Sequence, residues 1–133
     1  MARILVADDD FICRNLVTDC FSSMGHEVID VSDGREALRE WQQAEPPFDC
    51  LIFDVYLPGI SGFELMEKIR EMIVILDDRK RRAPVIITTS DGRVETEVKA
   101  RQKKAFSFLI KPYTKEKIKQ AVDNALLVVS RQE

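Results

Sequence analysis

The chain has 133 residues, enough for one domain around a single buried core and too few for two. Because 45% of the residues are hydrophobic and 32% are charged, the composition excludes a disordered chain and indicates a globular one. The net charge of −3 gives no support for direct nucleic-acid binding. We therefore predict a single domain over residues 1–133.

The chain alternates between two kinds of apolar pattern. Continuous apolar runs, typical of strands buried on both faces, occupy residues 4–7, 50–53 and 85–88. Weaker strand candidates occupy residues 27–31 and 106–110. The segments between these runs have the spacing of helices, so strands and helices are predicted to alternate along the whole chain.

The helices are marked by apolar spacing and by capping residues. The first follows Asp10, a predicted N-cap, and carries apolar residues at every fourth position, namely Ile12, Leu16, Cys20 and Met24, with Cys13, Val17 and Phe21 beside them. The second is predicted over residues 35–43, and the third begins near Ser61, another suitable N-cap. The fourth is predicted over residues 93–103, and the fifth begins near Thr114.

Strands that alternate with helices predict a parallel sheet with right-handed crossovers and helices on both faces. We expect an α/β fold, a three-layer (βα)5 flavodoxin-like doubly wound sheet with five parallel strands in the order 2-1-3-4-5. In such sheets ligands bind beyond the carboxyl ends of the strands, near the point where strand order reverses. Functional residues should therefore be sought at the strand ends.

Polar residues follow four of the predicted strands. Asp8 and Asp9 follow the first strand, Asp54 the third, Thr89 the fourth and Lys111 the fifth. The carboxyl ends of parallel strands meet at one edge of a sheet. Three carboxylates, a hydroxyl group and an ammonium group are therefore expected to converge there.

This set of groups is typical of phosphoryl transfer. Neighbouring carboxylates repel one another unless a positive group lies between them, and Mg²⁺ suits such a site because it prefers oxygen ligands. Mn²⁺ is expected to substitute for it. Asp54, ionised at pH 7, needs no general base to take up a phosphoryl group as an acyl phosphate. Lys111 would add positive charge, and Thr89 a hydrogen bond to a phosphate oxygen.

Four segments resemble the receiver domain of two-component response regulators. They are ILVADDD at residues 4–10, LIFDVYLPGISG at residues 51–62, PVIITTS at residues 84–90 and FLIKP at residues 108–112. Each lies at a predicted strand end, and they occur in the family's order. The resemblance extends from Arg3 to about Val129, which is nearly the whole chain.

The resemblance implies a phosphoacceptor and a metal site. Asp54 would be the phosphoacceptor. Mg²⁺ would be bound by Asp54, by Asp9 directly, by Asp8 through water and by the backbone carbonyl group of Tyr56. The chain would act as a signalling phosphoacceptor rather than as a turnover enzyme.

The resemblance also implies a switch. Thr89 and Lys111 would contact the phosphoryl group, and a cis peptide bond between Lys111 and Pro112 would direct the lysine inward. Thr89 would move toward the phosphate while Phe108 turns inward. That movement would remodel the face formed by the fourth helix, the fifth strand and the fifth helix.

The partners implied are those of the family. A sensor histidine kinase or a histidine phosphotransfer protein would donate the phosphoryl group, and the remodelled face would bind an unknown target or form a homodimer. The chain is either a stand-alone regulator or an excised N-terminal receiver, and the sequence leaves both alternatives open. Three cysteines without metal-ligand spacing indicate free thiols and a cytoplasmic location. No apolar run reaches the roughly 20 residues that membrane insertion requires.

Two features depart from the usual family pattern. Tyr56 stands two residues after Asp54, and Asp91 stands two residues after Thr89. Both positions border the path of the water that hydrolyses the acyl phosphate, so we predict that they tune dephosphorylation. The chain is also a few residues longer after the third helix. Residues 72–82 are interpreted either as a longer helix followed by a solvated basic loop or as a docking element.

Three other functions fit the sequence less well. A haloacid-dehalogenase-like phosphatase needs a second aspartate two residues after its nucleophile, where this chain has Tyr56. A flavin carrier needs a loop rich in Ser, Thr and Gly after the first strand, where this chain has three aspartates. A receiver that serves only as an interaction module would not need Thr89 and Lys111 beside an acidic pair.

Overall fold

The computed structural model describes residues 1–132, and their side chains as far as Val129. The strands are β1 (Arg3–Ala7), β2 (Glu27–Val31), β3 (Cys50–Asp54), β4 (Val85–Thr89) and β5 (Ser107–Ile110). The helices are α1 (Phe11–Ser22), α2 (Gly34–Gln43), α3 (Gly62–Leu76), α4 (Val94–Gln102) and α5 (Lys115–Gln132), and a 3₁₀ turn spans Arg79–Arg81. Within residues 1–132, no helix combines the length and the apolar character that crossing a membrane would require.

All strand pairs are parallel, and the strand order is β2-β1-β3-β4-β5. This confirms the predicted α/β fold and the order 2-1-3-4-5. The chain leaves β1 toward β2 on one side and returns to β3 on the other, so strand order reverses between β1 and β3. The crevice at this reversal lies beyond Ala7 and Asp54, the last residues of those strands.

The sheet separates two apolar cores. Successive side chains of a strand point to opposite faces, so each central strand contributes to both layers. Leu5 and Leu51 belong to the core that α2 and α3 cover, whereas Ile4 and Ile52 belong to the core that α1 and α5 cover. Burial on both faces is the reason that these strands appear in the sequence as continuous apolar runs.

The start of α1 agrees with the sequence, and its buried residues all belong to the predicted apolar set, but the four-residue row is not buried along its whole length. Asp10 is the N-cap, and its carboxylate accepts hydrogen bonds from two backbone N–H groups of the first turn. Ile12 is 76% exposed, and the buried residues are Val17, Cys20 and Phe21. A step of four residues rotates by about 40° around a helix of 3.6 residues per turn, so such a row cannot stay on one face.

The third helix is long and ends in exposed apolar side chains. Val74, Ile75 and Leu76 are 76%, 78% and 61% exposed. Asp77, with φ of 50°, ends α3 in the left-handed conformation of a C-cap. The extra length of this chain therefore lengthens the helix beyond the part that packs on the sheet.

The basic segment after α3 is not the solvated loop that the sequence suggested. The side chain of Arg81 is only 15% exposed. Its guanidinium group donates hydrogen bonds to the backbone carbonyl groups of Trp41 and Ala44 at 3.1 and 2.8 Å. The expectation of a solvated loop is wrong at Arg81, because the end of α2 offers carbonyl groups that the helix itself leaves unpaired.

Candidate functional site

The carboxyl edge of the sheet brings the three predicted carboxylates together. Asp8 and Asp9 follow β1, and Asp54 ends β3, the neighbouring strand. One carboxylate oxygen of each residue lies within 4.8 Å of the other two. Asp8 and Asp54 are buried, at 3% and 5% exposure, whereas Asp9 is exposed. Buried carboxylates at this spacing require a positive partner.

Lys111 is a positive partner for the two buried carboxylates. Its Nζ atom donates hydrogen bonds to Oδ2 of Asp54 at 2.7 Å and to Oδ1 of Asp8 at 2.9 Å. The peptide bond between Lys111 and Pro112 is cis, as the resemblance implies. Burial by itself would lower the pKa of Lys111, but the hydrogen bonds with Asp54 and Asp8 raise that pKa above its ordinary value. The lysine is therefore charged at physiological pH.

The environment of Asp8 opposes its ionisation. Burial raises the pKa of Asp8 above its usual range, although Lys111 and the backbone N–H of Asp10 act in the opposite direction. The guanidinium group of Arg14 donates a hydrogen bond to the backbone carbonyl of Asp8 at 2.7 Å. The sequence analysis missed Arg14. Its place one helical turn after the acidic segment was the only signal that pointed to it.

Tyr56 and Asp91, from two different loops, are joined at the same edge. Tyr56 Oη donates a hydrogen bond to Asp91 Oδ2 at 2.6 Å. Asp91 also accepts hydrogen bonds from Arg93 at 2.8 Å and from the hydroxyl group of Thr96 at 2.9 Å. The hydrogen bond with Arg93, followed by the one with Tyr56, holds the pKa of Asp91 well below its usual range. Asp91 therefore ties the loop after β3 to the first turn of α4.

Thr89 and Phe108 lie on one face of the sheet. Thr89 is fully buried, and its Oγ1 accepts a hydrogen bond from the backbone N–H of Asp91 at 3.0 Å. Since this contact uses the oxygen as an acceptor, the hydroxyl hydrogen stays available for another acceptor. Phe108 is the register partner of Ile87 and packs against the core that α2 and α3 cover. Thr89 follows Ile87 by two positions and so points to the same face.

Gly62, the first residue of α3, allows the helix to pass close to the phosphoacceptor candidate. A Cβ atom at Gly62 would overlap the backbone carbonyl oxygen of Asp54. The N–H of Gly62 donates a hydrogen bond to the carbonyl of Val55 at 2.9 Å. Because there is no room for a side chain at this contact, the position requires glycine. The sequence analysis did not single out Gly62.

The donor set at this edge fits a hard divalent cation. Three carboxylates supply oxygen atoms within 4.8 Å of one another, close enough to share one cation, and oxygen is the ligand that Mg²⁺ prefers. Lys111 bonds to one oxygen of Asp8 and one of Asp54, so the second oxygen of each carboxylate is not used by the lysine. The site can therefore hold a cation and the ammonium group together.

The fold and this site define a doubly wound α/β protein whose carboxyl edge carries an acidic pocket with a buried lysine. The family model described as "Response regulator receiver domain" matches residues 4–123. The chain therefore belongs to the response regulator receiver domain family. Members of this family are signalling phosphoacceptors of two-component systems, phosphorylated on an aspartate in a Mg²⁺-dependent reaction. Receiver domains interact with histidine kinases and with output domains.

Curated relatives and solved structures agree with this assignment. The regulatory protein AtoC of Escherichia coli (strain K12) is 30% identical over 96% of this chain and 26% of its own length. Chemotaxis protein CheY1 of Helicobacter pylori is 25% identical over 93% of this chain and 96% of its own length. A response regulator receiver domain protein from Clostridium thermocellum has a TM-score of 0.85 at 26% identity, with 100% of both chains covered. The chain spans about a quarter to a half of several relatives, including 49% of nodulation protein W of Bradyrhizobium diazoefficiens.

Proposed function

We propose that Asp54 accepts a phosphoryl group from the phosphohistidine of a sensor histidine kinase or of a histidine phosphotransfer protein. The observation that carries this proposal is the pair of hydrogen bonds from Lys111 to Asp54 and Asp8. A charged lysine beside a buried carboxylate stabilises the negative charge of an incoming phosphoryl group. Among residues 1–129, Asp8 and Asp54 are the only two buried carboxylates that share one lysine.

The chemistry follows from the groups at the site. An oxygen of Asp54 forms the new bond to phosphorus while the bond from phosphorus to the donor imidazole nitrogen breaks, and that nitrogen keeps the electron pair. Lys111 and the hydroxyl group of Thr89 hold the phosphoryl oxygens in place. Asp8, Asp9, Asp54 and the carbonyl of Tyr56 would hold Mg²⁺. When bound, the cation neutralises charge on the phosphoryl oxygens.

We propose that Thr89 and Phe108 carry the signal to the surface. Thr89 lies on the same sheet face as Phe108, so a movement of Thr89 toward the phosphoryl group would free space on that face. Exposed apolar side chains on or beside α4, β5 and α5 are Val94 and Val98 of α4, Phe106 just before β5, Ile110 of β5, and Leu127 and Val128 of α5. Exposed apolar residues of this kind suit the binding of a target, an output domain or a second copy.

We also propose that the protein acts in the cytoplasm and that residues 1–133 form a single domain.

The proposal is tested by intact-mass spectrometry after incubation with acetyl phosphate and Mg²⁺. Wild type is expected to gain one phosphoryl group, and the adduct should disappear in EDTA and in Asp54→Asn. Asp30→Asn is a matched control, because Asp30 lies in β2 and bonds only to Thr18. An adduct that persists in Asp54→Asn would show that another residue is phosphorylated.

We further propose that Tyr56 and Asp91 set the lifetime of the acyl phosphate. Tyr56 is 53% exposed, stands two residues after Asp54 and donates a hydrogen bond to Asp91, so its ring would border the approach of water to Asp54. Removal of the ring in Tyr56→Asn should open the approach to water and shorten the lifetime several-fold. Tyr56→Phe keeps the ring and loses only the hydrogen bond, so it should have a smaller effect. Equal dephosphorylation rates in wild type and Tyr56→Asn would contradict the role of Tyr56.

A further inference from the structure

A groove of about 480 Å³ lies at the edge of the sheet opposite the acidic site. Val85, the first residue of β4, lines it, whereas Asp54 ends β3 at the other edge. Val74 of α3 and Val128 of α5 form two of its walls. The groove therefore lies between the long third helix and the part of α5 near Val128, at the edge of the sheet opposite Asp54.

Apolar side chains of this groove are open to solvent. Val74 is 76% exposed and Val128 is 37% exposed, although both are large aliphatic residues. The volume is within the range of sites that bind a small molecule or the side chains of a peptide. A helix laid into such a groove would cover these side chains with one apolar face.

The charged residues that line the groove are all cations. They are Arg70, Arg82 and Lys104, and no carboxylate lines the groove within residues 1–129. Among those residues, whose side chains are described, none of the three cations takes part in an ion pair, whereas neighbouring Lys103 is paired with Glu67. Arg70 donates its hydrogen bonds to the backbone carbonyls of Lys103 and Lys104 and keeps its charge uncompensated.

We propose that this groove, named here the α3–α5 groove, binds an amphipathic segment of a partner protein that is apolar on one face and acidic on the other. Glutamate or aspartate side chains of that segment would meet Arg70, Arg82 and Lys104, and its apolar face would cover Val74 and Val128. A second copy of this chain fits less well. A two-fold interface presents the same patch from both copies and would place these cations against each other.

The test uses a fluorescently labelled, helix-forming peptide of about 16 residues, with leucine at i, i+4 and i+7 and glutamate at most other positions. Fluorescence anisotropy is expected to show binding that weakens with added salt. A peptide with lysine in place of each glutamate should bind about tenfold more weakly or not at all. Asp54→Asn should bind the acidic peptide as wild type does, because the groove and the phosphoacceptor are separate.

Two substitutions in the groove have matched controls beside it. Val74→Glu and Arg82→Glu should each weaken binding about tenfold. Ile75→Glu and Lys80→Glu, which change neighbouring exposed residues outside the groove, should leave the affinity unchanged. Since Val74 and Arg82 are exposed, both variants should fold, as circular dichroism would show.

Three results would overturn the proposal. The first is an affinity that is equal in Val74→Glu and Ile75→Glu, or no binding of the acidic peptide by wild type. The second is binding to phosphatidylserine vesicles with no preference for the acidic peptide, which would assign the groove to a membrane surface. The third is a dimer in sedimentation analysis that Val74→Glu abolishes, which would assign it to a second copy.

Discussion

The two edges of the sheet hold their buried cations in different ways. At the carboxyl edge, Lys111 bonds to two carboxylates, Asp54 at 2.7 Å and Asp8 at 2.9 Å. At the amino edge, Arg81 bonds to the neutral backbone carbonyls of Trp41 and Ala44, and its two carboxylate partners, Asp78 at 3.0 Å and Glu45 at 3.6 Å, are 35% and 81% exposed. The cation at the first edge is compensated by buried carboxylates, whereas the cation at the second completes the hydrogen bonding of a helix end and pairs only with carboxylates that solvent reaches.

This difference predicts different costs of mutation. Removal of a charge from the carboxyl edge leaves other buried charges without a partner, which strongly lowers the free energy of unfolding. Removal of Arg81 leaves two neutral carbonyl groups without this partner, which costs less than an unpaired buried charge. The carboxyl edge is therefore the part of the fold whose energy changes when a cation or a phosphoryl group arrives.

The largest effect is expected for Lys111→Met. In EDTA the variant should lose about 3 kcal/mol of unfolding free energy in urea denaturation, because Asp8 and Asp54 remain buried without the ammonium group. Lys119→Met is the matched control, since Lys119 bonds to Asp123 at 2.9 Å with side chains that are 51% and 42% exposed. It should lose less than about 1 kcal/mol. Equal losses in the two variants would remove the contrast between buried and surface pairs.

A somewhat smaller effect is expected where α3 passes the carboxyl edge. Gly62→Ala should cost about 2–3 kcal/mol, because the new Cβ overlaps the carbonyl oxygen of Asp54 and must displace it. In Gly92→Ala the new Cβ meets Ile110 at an ordinary distance of 3.7 Å, so the change should stay within about 0.5 kcal/mol. Thermal unfolding of both variants measures this difference in stability. A Gly62→Ala variant as stable as wild type would mean that the backbone near Asp54 can shift at little energetic cost.

The amino end of β3 should show a dependence on alkaline pH. Burial raises the pKa of the Cys50 thiol from its ordinary value of 9.0 to about 12. Above pH 9 the unfolded chain releases this proton first, so the unfolding free energy falls as pH rises, on the order of 2 kcal/mol by pH 10.5. The stability difference between wild type and Cys50→Ala should therefore shift by that amount between pH 8 and pH 10.5. A constant difference would mean that water reaches the thiol.

The smallest effect is expected for Arg81→Ala at the amino edge. Loss of its two carbonyl hydrogen bonds, of its contact with the Trp41 ring at 6.0 Å and of its solvent-reached ion pairs with Asp78 and Glu45 should cost about 1 kcal/mol in urea denaturation. Arg79→Ala is the control, because that side chain is 86% exposed, and it should have almost no effect. If Arg81→Ala lost as much unfolding free energy as Lys111→Met, the two cations would be equally important to stability and the contrast between the two edges would be wrong.

The sequence predicts the fold and the place of the site because both depend on short patterns. Continuous apolar runs report strands buried on both faces, and the fold then brings every strand end to one edge. The exposure of residues 74–76 follows from a helix end that is apolar nearly all round, whereas the proximity of Tyr56 and Asp91 was implied by the resemblance to the receiver family. The chemical roles of the site residues stay predictions until the phosphorylation experiment is done.

Contacts made by long polar side chains could not be predicted from the sequence. Arg81 looks like part of a solvated basic run, because nothing local shows that the carbonyls at the end of α2 lie beside it. Arg14 and Arg93 act through similar long-range or loop contacts, to Asp8 and Asp91. Ile12 shows the opposite error, since an apolar residue at a regular spacing is exposed when the helix turns it away from the core.

The position of Lys111 in the chain has a consequence for synthesis. Lys111 is separated from Asp8 by 103 residues and from Asp54 by 57. During translation from the N-terminus the aspartates leave the ribosome long before the lysine. Until β5 docks at the edge of the sheet, Asp8 and Asp54 have no ammonium group between them and repel each other. The ion pairs at the carboxyl edge can therefore form only after the last strand has docked.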